Sequence, residues 1–365
     1  MSVNAERMSH SCPIQAACAF LLCLTLLIAC APAPVPPAVP APTALPSTVV
    51  PLAPTATARL LRASSLSEQG SAFVANDSAV VLRGAVMPHF LYQQIVDHPT
   101  SYVAVFRRDI GRLRQMGANF IVVDWNAGYL SQPGYVENLV AGLEYAKQQG
   151  LWVELSLHSR GRKPGSRVDP LQIRIVDSQI VADWDGLLSD RQVASRLAAA
   201  VDMFGPLSEP AKRDAQDDDI SWSDWMGIAD KVIRLIRERI ARPEVPIALS
   251  GVHWASDASD ALQDPPDSAN VAIELHPYQP NENNFRGQVD ALMKRGYPVF
   301  AGELGCLDPI DYSRGLLDFL TQKGLSFAVY SLISDSNDPR CTLVTRNGAY
   351  SPLGSLAQQY FASSK

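Results

Sequence analysis

The chain has 365 residues, 31 Lys+Arg against 37 Asp+Glu, a net charge of −6 and 47% hydrophobic residues. That length supplies one large domain or two small ones with ample material for a core. The acidic balance excludes a general nucleic-acid binder, which needs a basic face to displace counterions.

In chain order, the first feature is an apolar run from Ala16 to Ala29, 14 residues long and too short to span a bilayer comfortably. It reads as the core of an export signal covering residues 1–29. Leu27-Ile28-Ala29-Cys30 resembles the bacterial lipobox, which implies that Cys30 is acylated and becomes the first mature residue. Residues 30–60 follow as a linker. Ala31 to Ala58 holds nine of the 27 prolines and no charge. Such a segment favours extended polyproline II and acts as a semi-rigid spacer. Together these features predict an exported protein, lipid-anchored to the bacterial cell membrane and facing outward. Cys12, Cys18 and Cys23 leave with the signal, so Cys306 and Cys341 remain. In an oxidising compartment they are a candidate disulfide, with two free thiols as the alternative.

A single folded domain is expected over residues 75–365. Its strand candidates are Ala79–Val86, Asn119–Asp124, Leu151–Leu157, Asp202–Leu207, Val245–Gly251, Val271–Leu275, Pro298–Ala301 and Ser326–Ser331. They are near-continuous apolar runs, as parallel strands buried on both faces require. Between them, Tyr102, Phe106, Ile110, Leu113 and Met116 repeat at helical spacing up to Gly117. Val136–Gln149, Trp225–Ile240, Phe285–Arg295, Tyr312–Lys323 and Pro352–Ala362 do the same, and Ser221-x-x-Asp224 marks a helix start. Eight strand-helix units predict an α/β fold, the (β/α)8 TIM barrel. A doubly wound nucleotide-binding sheet is disfavoured, because Leu82-Arg83-Gly84-Ala85 is not a glycine-rich phosphate loop.

A barrel places its working groups at the C-terminal ends of its strands. Those positions carry Asp124-Trp125-Asn126, His158, Ser208-Glu209-Pro210, Trp254, His276-Pro277-Tyr278, Gly302-Glu303-Leu304-Gly305 and Tyr330. Two glutamates after strands four and seven face each other across the mouth, among histidines and aromatic rings. Paired carboxylates of this kind suit glycosidic cleavage, and aromatic faces suit sugar rings. Glu209 and Glu303 are therefore the catalytic candidates. Trp125, His158, Ser208, Trp254, His276, Tyr278 and Tyr330 are the substrate-binding ones. The predicted partner is an oligo- or polysaccharide, the chain is expected to be a monomer, and neither metal nor organic cofactor is required.

The same residues resemble glycoside hydrolase family 5, the cellulase-like retaining enzymes, over about Val80 to Ala362. Met116-Gly117-Ala118-Asn119 is similar to the family's entry to strand two. Glu209-Pro210 matches the end of its Asn-Glu-Pro motif, and Glu303-Leu304-Gly305 resembles its Glu-Phe-Gly motif. His276 and Tyr278 fit its His-x-Tyr, and His158 the histidine that ends strand three. The resemblance implies Glu303 as nucleophile, Glu209 as acid/base and Tyr278 as a hydrogen-bond partner of the nucleophile. Three positions depart from the pattern. Ser208 replaces the asparagine that binds the sugar 2-hydroxyl, Val122 replaces an arginine, and Tyr330 replaces a tryptophan.

Those departures keep a second reading open, a non-catalytic glycan-binding lipoprotein on the same barrel. A solute-binding lipoprotein is a third, disfavoured by the single eight-unit alternation. Arg160, Arg162, Lys163 and Arg167 read either as a site for an acidic sugar or as a solvated loop. Asp217-Asp218-Asp219 reads either as a cation site or as favourable charge at a helix start. His253 reads either as a cleft residue or as a structural histidine.

Overall fold

Three short antiparallel strands, β1 (Ser67–Gln69), β2 (Ala72–Ala75) and β3 (Ser78–Val80), open the computed structural model. The structure describes residues 66–92, 97–159, 176–211, 220–279, 282–333 and 338–362. The proposed signal, Cys30, the linker, the basic loop Arg160–Arg167 and Asp217–Asp219 lie outside the described residues. All described residues fall in one unit, Leu60–Lys365.

Eight parallel strands then close on themselves: β4 (Arg83–Phe90), β5 (Phe120–Asn126), β6 (Trp152–Ser159), β7 (Met203–Gly205), β8 (Ile247–Ser250), β9 (Val271–Leu275), β10 (Val299–Ala301) and β11 (Ser326–Val329). Closure is made by β11 pairing with β4, Phe327 opposite Arg83 and Val329 opposite Ala85. The expected (β/α)8 barrel is the architecture. Among the described residues no helix is long and apolar enough to cross a membrane.

Strand alternation sorts the side chains into two cores. On β5, Ile121, Val123 and Trp125 face outward into the helix layer, while Phe120 and Val122 face the barrel interior. The interior cluster also takes Leu82, Val86, Met203, Ala248, Ala272, Phe300 and Ala328. Leu66 and Phe73 belong to the same cluster, so the N-terminal sheet packs onto the interior. Phe73 meets Phe300 edge-on at 5.8 Å, a contact worth roughly 0.5–1.5 kcal/mol beyond its burial. Packed structure therefore begins ahead of the boundary expected at residue 75.

Helices cover the outside at Pro99–Gln115, Tyr135–Gln148, Trp222–Arg239, Glu282–Arg295, Ile310–Gln322 and Pro352–Phe361, close to their expected positions. Ser221 caps its helix by accepting from the Asp224 N–H at 3.1 Å, as the spacing predicts. Two differences from the expected unit are physical. After β6 come two ten-residue helices, Gln179–Leu188 and Arg191–Ala200, separated by Ser189 and Asp190, and the Asp190 side chain caps the second. After β8 there is no long helix, only the turns Val252–Ala255 and Ser259–Leu262. Cys306 and Cys341 are joined as a disulfide across 35 positions. Closing a loop of that size stabilises by roughly 4 kcal/mol in the chain-entropy model.

Candidate functional site

The inward faces change character along the barrel. Above Val122 on β5 stands Asp124; on β6 the inward series is Glu154, Ser156, His158; along β9 and just past its end it is Ala272, Glu274, His276. All six polar groups are buried. Two glycines leave room for them. A Cβ at Gly205 would come within 2.5 Å of Ser156 Oγ, and one at Gly302 would overlap the Glu274 carboxylate.

Glu209 and Glu303 enter from the loops after β7 and β10 and are also buried. Glu209 has a backbone φ of +53°, a left-handed conformation that costs a non-glycine residue about 1–2 kcal/mol. Its neighbour Ser208 is tied down by an N–H bond to the Leu157 carbonyl at 2.7 Å. His276 links the two carboxylates: Nδ1 is 3.0 Å from Glu209 Oε1 and 3.8 Å from Glu303 Oε2. Tyr278 donates its hydroxyl to Glu303 Oε2 at 3.2 Å. One ligand atom each of Glu209, His276 and Glu303 lie within 4.8 Å of one another, and so do atoms of Asp124, His158 and Glu303. Both groupings have a spacing that a cation could use.

Burial pushes the Asp124 carboxyl well above the usual range, and the charges of Glu303 and Glu274 push it further. Glu154 moves the same way, by burial and then by Glu274 and Asp124. Among the described residues, neither oxygen of either has a hydrogen-bond partner. Burial alone would lower His276, but Glu303, Glu209 and Glu274 outweigh it and raise the imidazole well above its ordinary value. Tyr278 is raised by burial, then by Glu303 and Glu209.

The raised Glu154 has a consequence for stability. A carboxyl whose folded pKa exceeds its unfolded value stabilises the fold fully below the unfolded pKa and loses that contribution as pH rises through the folded one. Glu154→Gln keeps the shape and removes the ionisation. Its melting temperature should match the wild type near pH 4 and exceed it by several degrees at pH 8. Calorimetry across that range checks this, and parallel melting curves would refute it.

Sequence-predicted residues divide at this site. Glu209, Glu303, His158, His276 and Tyr278 come together in the mouth. Ser208 is buried beside Glu209, and Tyr330, half-buried, packs against the interior cluster. Trp254 is on the rim, 44% exposed, in a run with His253 and Ala255 that all have positive φ. Trp125 is a correction. It is fully buried on the outer face of β5, edge-on to Trp184 at 5.1 Å, so it packs the wall and offers no face to a ligand. Sequence reasoning missed Asp124 as an inward group in its own right, together with Glu154 and Glu274. Their period-two spacing with Val122, His158 and His276 was the available signal.

A family model described as cellulase (glycosyl hydrolase family 5) matches residues 107–336. No curated protein matches the sequence significantly. Among solved structures, a β-glucanase from Saccharophagus degradans is similar at 19% identity, covering 83% of this chain and 94% of its own, with a TM-score of 0.65. An endocellulase from Pyrococcus horikoshii in complex with cellotetraose is similar at 15% identity, covering 82% and 99%, with a TM-score of 0.66. A β-mannanase from Thermomonospora fusca in complex with mannotriose is similar at 16% identity, covering 82% and 95%, with a TM-score of 0.61. At these identities the structural likeness speaks for the fold.

Proposed function

Because the chain belongs to the cellulase family, glycosyl hydrolase family 5, and is thereby a glycoside hydrolase, we propose that it cleaves β-linked glycans with retention of configuration. Glu303 is the nucleophile and Glu209 the acid/base. The observation that carries this reading is the pair's separation, with one oxygen of each within 4.8 Å of the other. Retaining enzymes hold their carboxyls about 5–5.5 Å apart, whereas inverting ones leave about 6.5–9.5 Å for a water.

In the first step Glu303 attacks the anomeric carbon while Glu209 gives its proton to the leaving oxygen. In the second, Glu209 takes a proton from water, which attacks the same carbon and releases Glu303. Tyr278 holds Glu303 Oε2 and aims the other oxygen at the sugar. His158 lies with Glu303 at the floor of the subsite, and Trp254 offers an aromatic face at the rim. Since the similar structures include glucan- and mannan-cleaving enzymes, the test is a screen of β-glucan, mannan and aryl β-glycosides with product configuration followed by NMR. First-formed β product supports retention; α product or no turnover on any of them overturns the proposal.

The proposed location is the outer face of a bacterial membrane, with Cys30 acylated. The support is the apolar run ending in Leu27-Ile28-Ala29-Cys30 and the uncharged proline-rich segment after it. Cys30→Ala should leave precursor or soluble protein after fractionation. Unchanged mobility and membrane partition would rule the anchor out.

A further inference from the structure

The hydrogen bonds of His276 do not end at Glu209. Its Nε2 lies 3.2 Å from Oε1 of Glu274, two residues earlier on β9. The other oxygen of Glu274 accepts from the Ser250 hydroxyl at 2.6 Å. Ser250 is in turn fixed through its carbonyl, which accepts from Trp225 Nε1–H at 2.9 Å. Glu274 and His276 are both buried, and the absent side chain at Gly302 is what leaves space for the Glu274 carboxylate. The side chains follow one another in a chain of contacts: Ser250, Glu274, His276, Glu209.

A neutral imidazole carries one N–H. If that proton sat on Nε2 for Glu274, Nδ1 would be an acceptor and would draw the Glu209 proton onto Oε1, away from a sugar. If it sat on Nδ1, the Nε2 lone pair would face a carboxylate oxygen in a buried site, an unmade bond costing about 1–3 kcal/mol or more. Ser250 has already given its only hydroxyl proton to the other oxygen. Both contacts are satisfied when both ring nitrogens are protonated. Among the described residues, Glu303, Asp124 and Glu154, all carboxylic, also act on the ring electrostatically.

We propose that Glu274 is a positioning residue: by accepting from Nε2–H it keeps His276 doubly protonated, so that Nδ1–H occupies Glu209 Oε1 and confines the catalytic proton of Glu209 to Oε2. The proposal rests on the reading of Glu209 as acid/base. Glu274 never touches substrate. It decides which oxygen of the acid is available, and hence whether the proton points at the leaving group.

The test has two arms. Nitrogen-15 NMR of the histidine rings, of which the chain has six, reports protonation without any turnover. In the wild type both His276 nitrogens should stay protonated well past the pH at which an ordinary imidazole loses its second proton. In Glu274→Gln the ring should lose its second proton at least about one pH unit lower. Ser250→Ala, which loosens the same carboxylate, should move it in the same direction by less, and it guards against a Glu274 variant that fails to fold. The second arm compares substrates. In Glu274→Gln, kcat/KM on cellotetraose should fall about 10- to 100-fold, in the range of general-acid contributions. On 2,4-dinitrophenyl β-cellobioside, which needs no proton, it should fall less than about threefold. A ring that titrates identically in wild type and both variants, or a bare Nε2 in the wild type, overturns the proposal even if every enzyme is active. A ring that responds as expected without any leaving-group dependence overturns instead the assignment of Glu209.

Discussion

Glu303→Gln should lower kcat by at least about 10³-fold on every substrate the wild type turns over, with substrate affinity kept. The amide is close to the carboxylate in shape and still accepts the Tyr278 hydroxyl, so the fold and the subsite survive. What the substitution removes is the charge with which the proposed nucleophile attacks the anomeric carbon. The loss must be independent of leaving group, because no substrate bypasses the nucleophile. Steady-state kinetics with isothermal titration of an oligosaccharide measures both halves. A loss confined to poor leaving groups would show that Glu303 is the proton donor and that the two roles are exchanged. Unchanged kcat would remove it from the mechanism.

The barrel strands were legible because burial on both faces writes them as continuous apolar runs, and every one overlaps its expected segment. The first run misled for the same reason. Ala79–Val86 spans Val80-Val81-Leu82, which are apolar throughout, yet the chain leaves one sheet at Val80 and enters the barrel at Arg83. A run apolar on both sides also hides which side faces in. Strand-end position alone puts Trp125 in the site. Its neighbours Asp124 and Asn126 have the inward parity, and a one-residue step puts the indole in the helix layer. Glu154 and Glu274 were hidden inside Val-Glu-Leu and Ile-Glu-Leu, where a single acid interrupts an apolar run without breaking it. The paired helices after β6 were missed because each is only ten residues long. Ile180, Trp184, Leu187 and Leu188, followed by Asp190 as a cap, were the signal. Glu209 and Glu303 stand out in the sequence as glutamates just past buried strands, and the structure brings them together at the mouth. The departures at Ser208 and Val122 remain as the residues predicted. With Val122 inward and apolar, His276 is an ionisable side chain that reaches both glutamates.

Glu209→Ala should separate the two chemical steps. Glycosylation of a substrate with a poor leaving group needs the proton, so kcat/KM on an unactivated oligosaccharide should fall about 10²- to 10⁴-fold. An activated aryl β-glycoside leaves without help, so its kcat/KM should fall far less. Its kcat should still drop, because the glycosyl-enzyme now waits for a water that no base activates. Azide needs no base. It should restore turnover by attacking the glycosyl-enzyme in the space left by the missing carboxylate. Since the first step inverts the anomeric carbon onto Glu303 and azide enters from the face the leaving group vacated, the product should be a β-glycosyl azide. The short Nδ1 contact of His276 with Glu209 is removed in this variant, so any pH dependence that His276 transmits through Glu209 should vanish from kcat/KM on the activated substrate. An α-glycosyl azide would mean direct displacement with no covalent intermediate, and Glu303 would then have to act as a base on an inverting path. No azide product, with equal losses on good and poor leaving groups, would take the acid/base role away from Glu209.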